Sequence, residues 1–185
     1  MPILIPMPRR RPKRPKVKRE KPADLNAAFE RVMAAYSSYY DLNRVDPLEP
    51  FDAEAVFRIH DEQYILIKKA KVSEADSNEF VYFAKTDELS EEQFIELENT
   101  AWEDGLSRAK PQTNHRNSDV TVVIVTESVL PEAETAIRKS KKYKSYKWGI
   151  HGWSAHRVVV YDLGRHKLLY NRRGEELKEI FNNIF

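Results

Sequence analysis

The sequence predicts an α/β fold: an α/β sandwich on a mixed β-sheet, with elements in the order α-β-β-β-α-β-α-(β)-β-β-α behind a disordered basic, proline-rich tail. Three observations carry this expectation. Apolar residues recur at helical spacing in separated stretches that open on residues suited to a helix start. Between these stretches lie short runs rich in valine, isoleucine, phenylalanine and tyrosine. One such run, Val120 to Val125, is apolar almost throughout, as a strand covered on both faces should be.

The first helix is expected to start at the N-cap Asp24 and run to about Asp41. Leu25, Ala28, Phe29, Val32, Met33, Tyr36 and Tyr40 form its apolar stripe. Asp46-Pro47-Leu48-Glu49-Pro50 then makes a rigid connector. Residues 54–60 and 63–72 read as strands joined by a turn at Asp61-Glu62, and Phe80–Lys85 as a third strand. Ser90-Glu91-Glu92-Gln93 has the form of a capping box, in which the serine and the glutamine each satisfy an orphan backbone N–H. It opens a helix to about Arg108 that buries Phe94, Leu97, Ala101 and Trp102.

A polar loop over 110–118 precedes the strand Val120–Thr126. Pro131 suits the first position of a helix ending near Lys142, because the N–H it lacks would be unpaired there anyway. A short, weakly specified strand follows near Tyr146. Residues 156–163 and 167–170 then form a hairpin around Gly164. The closing helix has Glu175 and Glu176 in its first turn, with Leu177, Ile180, Phe181 and Ile184 as its buried face.

Composition narrows the function. At 185 residues and 41% hydrophobic, the chain is globular, with one domain over 23–185 behind a tail of residues 1–22. Its longest apolar run is far short of the ~20 residues a membrane span requires, so no membrane partner is expected. There is no cysteine, which excludes disulfides, thiolate catalysis and cysteine-ligated zinc or iron–sulfur sites. The apolar start, Met1 to Pro8, precedes its positive charges where a secretory signal would follow them, and it is broken by prolines. A cytoplasmic location is expected, or a nuclear one if the source is eukaryotic, since Pro-Lys-Arg-Pro-Lys-Val-Lys-Arg resembles a nuclear-localisation cluster.

The net charge of +2 conceals a segregated layout. Residues 1–22 hold nine Lys/Arg against Glu20, and 23–136 hold ten basic residues against twenty-four acids. Residues 137–173 then hold eleven basic residues against Asp162 alone. Separated charge acts locally, over about a Debye length of ~8–10 Å, and points to a polyanionic partner or to docking on an acidic one. In the tail, Arg9, Arg10, Arg11, Lys13, Arg14 and Lys16 are spaced by prolines that favour an extended chain able to follow a row of phosphates.

The second basic block interleaves cations with rings. Lys139, Lys141, Lys142, Lys144 and Lys147 alternate with Tyr143, Tyr146 and Trp148, a pattern suited to phosphate contact and base stacking. Its bland alternative is a helix end complemented by lysines, with the aromatics packed inward. Gly149-Ile150-His151-Gly152-Trp153 reads as a tight glycine turn with Trp153 packed and His151 and His156 partly exposed. Arg157, Arg172 and Arg173 are expected to gather beside it and extend the positive face. No nucleophile elbow is present, since His156 stands where its second glycine belongs, and the histidine spacing matches no metal motif. No catalytic site, cofactor or metal is assigned.

The opening order αβββαβ resembles the core order of the PD-(D/E)XK nucleases. That resemblance implies an acid followed by an acid-x-Lys on adjoining strands, holding Mg²⁺. Lys85 matches the lysine, but Phe83 occupies the place of the metal-binding acid, so the resemblance implies a degenerate site.

The expected function is therefore nucleic-acid binding by a domain without an evident catalytic site, non-enzymatic or catalytically degenerate, DNA or RNA undetermined. The alternative is a subunit of a protein or homo-oligomeric assembly whose basic tail docks on an acidic surface.

Overall fold

The computed structural model describes residues 22–57, 76–109 and 115–185. The tail residues Arg9 to Lys16, the turn at Asp61-Glu62 and the strand expected over 63–72 lie outside that set. Helix α1 (Leu25–Ser37) is capped by Asp24, whose carboxylate accepts from the Ala27 N–H at 2.7 Å. It ends four residues before the expected Asp41. Tyr40 leaves the helix and opens strand β1 (Tyr40–Asn43), which lies antiparallel to β2 (Ala53–Phe57) with Tyr40 opposite Phe57 and Leu42 opposite Ala55. The tyrosine that continued the helical period satisfies the sheet's period instead.

Strand β3 (Asp76–Leu89) is much longer than expected and runs antiparallel to β2. It crosses through helix α2 (Glu91–Arg108) to strand β4 (His115–Val129), which lies parallel to it. At the start of α2, Ser90 Oγ accepts from the Gln93 N–H at 3.2 Å, completing half of the expected capping box. The Gln93 side chain pairs with Thr86 Oγ1 instead. Helix α3 (Pro131–Lys139) leads to strand β5 (Tyr143–Ser145), then β6 (Trp153–Asp162), β7 (Lys167–Tyr170), a 3-10 turn (Gly174–Leu177) and helix α4 (Lys178–Ile184).

The sheet order is β1-β2-β3-β4-β6-β5, with β6 parallel to β4. β5 and β7 pair with successive parts of β6's outer edge, β5 with Trp153–Ala155 and β7 with Val159–Asp162. This is the expected α/β sandwich on a mixed sheet.

Alternation along the strands divides the core in two. Val81, Phe83, Val123, Val125, Val159 and Tyr161 pack under α1 and α4. Tyr82, Val120, Val122, Ile124, Val158 and Val160 pack under α2 and α3. Thr121 to Thr126 are buried on both faces, as the sequence implied. Ile180 departs from the expected apolar face of α4. Because the chain enters that helix through a 3-10 turn, Leu177, Phe181 and Ile184 reach the core while Ile180 stays exposed.

Candidate nucleic-acid interface

Among the described residues, the most exposed aromatic side chain lies at the tip of a hairpin on the open edge of the sheet. β5 and the start of β6 pair with Lys144 opposite Ser154, and the loop between them is closed by Tyr146 N–H donating to Gly152 C=O at 3.0 Å. Inside the loop, Gly149 and His151 N–H both donate to Tyr146 C=O, and Ile150 N–H donates to Lys147 C=O. Lys147, Trp148 and Gly149 are consecutive left-handed residues, with φ of 44°, 58° and 89°. Only glycine adopts that region freely, so the lysine and the tryptophan each cost about 1–2 kcal/mol of backbone preference. The turn holds Trp148 at 100% exposure, with Ile150 at 70% and, at the hairpin's base, Tyr143 at 53%.

Cations line this ribbon. Residues 138–157 contain no acid. Lys139, Lys141, Lys144 and Lys147 are exposed. The Lys144 ammonium lies 5.7 Å from the Tyr146 ring, and the Arg173 guanidinium lies 6.0 Å from the Tyr143 ring on the opposite side of the strand. Arg172 is also exposed. Tyr146 turns inward, its hydroxyl 2.8 Å from Ser154 Oγ.

Side chains that the sequence did not mark hold the base of the hairpin. Glu98 on α2 accepts from Ser140 Oγ and lies 3.8 Å from the Lys142 ammonium, while Asn99 accepts a bond from the same ammonium. Lys142 is thus half-buried and serves as an anchor rather than as a free cation. The backbone N–H of His156 donates to Lys142 C=O at 3.1 Å. Buried Asn171 completes the clamp. Its amide donates to the carbonyls of His156 and Ser140, and its oxygen accepts from the N–H groups of Val158 and Gly174. Gly174 is required there because an added Cβ would lie 2.0 Å from Val158 O.

Two expected positions are corrected by strand alternation. His156 is fully buried rather than partly exposed. Its Nδ1–H donates to Val120 C=O, and Trp102 meets its ring edge-on at 5.9 Å. Burial, reinforced by the Lys142 charge, lowers its pKa to about 3, with the Val120 carbonyl opposing. Arg157 does not join the positive face. It points under the α1 side of the sheet and bonds Glu79 at 3.3 Å, Asp119 at 2.7 Å and Glu176 at 3.2 Å. Glu79 also accepts from Tyr40 Oη and Thr121 Oγ1. Burial raises the Asp119 pKa and Arg157 opposes that shift, with Glu79 adding to it. Glu79 and Asp119 are register partners on β3 and β4, a pairing that no single strand announces.

Lys85 is held at the other end of β3. Its ammonium donates to Asn26 Oδ1 at 2.9 Å, and its backbone N–H donates to Asp52 Oδ2 at 2.8 Å. Asp24, Asn26, Lys85, Asp87 and Glu127 border an open groove of about 530 Å³. Phe83, in the place of the nuclease acid, is wholly buried and meets the Tyr36 ring edge-on at 4.9 Å. Among the described residues, no three His, Asp or Glu side chains are grouped to hold a metal ion. None of the described helices is long and apolar enough to cross a membrane.

Comparison with curated proteins and with solved structures finds no match in either. A family model described as "Domain of unknown function (DUF8052)" matches residues 24–183, which runs from the N-cap of α1 to the last residue but one of α4 and leaves out the basic tail. The chain belongs to that family.

Proposed function

We propose that this domain binds nucleic acid without acting on it chemically, using the β5–β6 hairpin as its shaped site and the basic tail as a second, less specific arm. One observation carries the reading: a wholly exposed indole projects from a hydrogen-bonded turn within an acid-free stretch of lysines. Lysines neutralise phosphates and release counterions, and flat rings stack on bases. Arg9, Arg10, Arg11, Lys13, Arg14 and Lys16 would add affinity and salt dependence.

The test is fluorescence anisotropy of labelled DNA and RNA at two salt concentrations, with full-length protein beside a form starting at Ala23. If Lys139, Lys141, Lys144 and Lys147 each meet a phosphate of a single strand, raising salt from ~50 to ~200 mM weakens the shortened form about 50-fold. Binding that ignores salt, or no binding at low salt, would refute the reading. Light scattering at the same salts addresses assembly, since tail-mediated oligomers dissociate as salt rises.

A second reading has a specific observation in its favour. The antiparallel β1-β2-β3 meander followed by α2 and a parallel β4 resembles the nuclease core order, and Asp52 lies beside Lys85. With Phe83 in the acid's place, we read this as a binding domain on a nuclease-like frame. Cleavage of DNA or RNA with Mg²⁺ or Mn²⁺, abolished by Lys85→Ala, would reverse that judgement.

A further inference from the structure

Resting on the nucleic-acid reading above, we infer that the hairpin takes single strands, with an unpaired base stacked on the Trp148 indole and the adjoining phosphates on Lys144 and Lys147. Stacking requires an uncovered ring on both partners. Trp148 is fully exposed, and the three left-handed residues around the tip direct it away from the sheet. In a duplex both faces of every base are already covered by neighbours, so a single projecting indole finds no platform without unstacking a step, which costs a few kcal/mol. A single strand presents its bases already open.

Placement of charge favours the same partner. Lys147 precedes the indole directly, and Lys144 lies on the strand leading to it, with its ammonium over the Tyr146 ring. Tyr146 is itself tied to Ser154, so Lys144 has a fixed support beneath it. Exposed Ile150 beside the indole makes an anionic bilayer the competing partner. A bilayer, however, would draw both apolar side chains inward together and strip water from Lys147 and the partly exposed His151 between which they sit.

The experiment uses the full chain and four probes: oligo(dT), oligo(U), a mixed-sequence DNA duplex, and phosphatidylserine vesicles. Trp148→Ala should weaken the single strands about 5- to 150-fold while leaving the duplex unchanged. Trp148→Phe should keep most of the single-strand affinity, because the ring still stacks, and should abolish most of the tryptophan quenching seen on binding. Lys144→Ala with Lys147→Ala should weaken single strands and duplex alike. If Trp148→Ala changes nothing, or weakens duplex and single strands equally, the stacking inference is overturned while nucleic-acid binding stands. If the protein binds no nucleic acid at low salt, the underlying reading fails as well, and vesicle binding lost in Trp148→Ala would assign the tip to a bilayer.

Discussion

Lowering the pH from 7 to 5 should destabilise this domain by way of one buried imidazole. In the unfolded chain His156 takes up its proton near pH 6.5. In the folded chain it is buried and does so only near pH 3. Between those values the unfolded state binds the extra proton, so stability is complete above pH 6.5 and is lost as the pH falls toward 3. At pH 5 the solution is one and a half units below the unfolded pKa, which at about 1.4 kcal/mol per unit removes about 2 kcal/mol. That is a large part of the 5–15 kcal/mol typical of a domain.

One neighbour opposes this effect. Glu98 Oε1 lies 3.5 Å from the bare Nε2 and would favour the imidazolium. Its charge, though, is already shared with Ser140 Oγ and the Lys142 ammonium, and Lys142 itself repels a second cation. Burial therefore decides the sign. Urea unfolding at pH 7 and pH 5 would compare the native protein with His156→Gln, which packs less well but cannot titrate. The native stability should fall about 2 kcal/mol more than that of the variant over this interval. Parallel behaviour, or native stability that rises toward pH 5, would show that the Glu98 pairing wins and would refute the reasoning.

Gly174→Ala should lower the thermal midpoint by about 6–12 °C. The new methyl lies 2.0 Å from Val158 O, and moving it to a tolerable distance while breaking the Gly174–Asn171 bond costs about 3 kcal/mol. A shift below about 2 °C would mean that the turn relaxes freely. Arg157→Met should cost about 3–5 kcal/mol by leaving Glu79 and Asp119 crowded without their cation. The loss should shrink as the pH falls toward the raised Asp119 pKa, while the proposed nucleic-acid binding of the folded fraction should be unaffected. Trp148→Asn should leave urea stability unchanged or raise it by about 0.5 kcal/mol, because asparagine tolerates the left-handed backbone better. A loss above about 1 kcal/mol would give the indole a structural role.

Much of the frame was legible because its signals are local. Asp24 as a cap, Pro131 at a helix start and the run Val120–Val125 each act through neighbours in sequence, and each lies where expected. Where two periodicities compete, the sequence is ambiguous: Tyr36 and Tyr40 continue a helical stripe, yet pairing between Leu42 and Ala55 claims the second tyrosine for a strand. The capping box failed in its second half because Thr86, seven residues back, offered Gln93 a better partner. The basic–aromatic block was visible from composition alone. Lys142 within it and Arg157 beside it do not present free cations, because their carboxylate partners, Glu98, Glu79 and Asp119, reach them only through helix packing and sheet register.

The hairpin is the place where folding alone leaves a residue unexplained. Lys142, Ser140, His156, Asn171 and Ser154 all contribute to fixing its base, and each gains a bond by doing so. Trp148 gains nothing comparable. Its indole buries none of its surface, although a packed aromatic contributes roughly 2–3 kcal/mol, and its backbone occupies a region that most residues avoid. Glycine or asparagine at 148 would close the same turn with less strain. A turn that is well ordered at its base and unfavourable at its tip is preorganised: ordering is complete before a ligand arrives, so a binding partner need not supply it. On the proposed reading, the free energy that the fold forgoes at Trp148 is regained when a base covers the ring, and the lysines before it in the chain, Lys144 and Lys147, would favour a partner carrying negative charge.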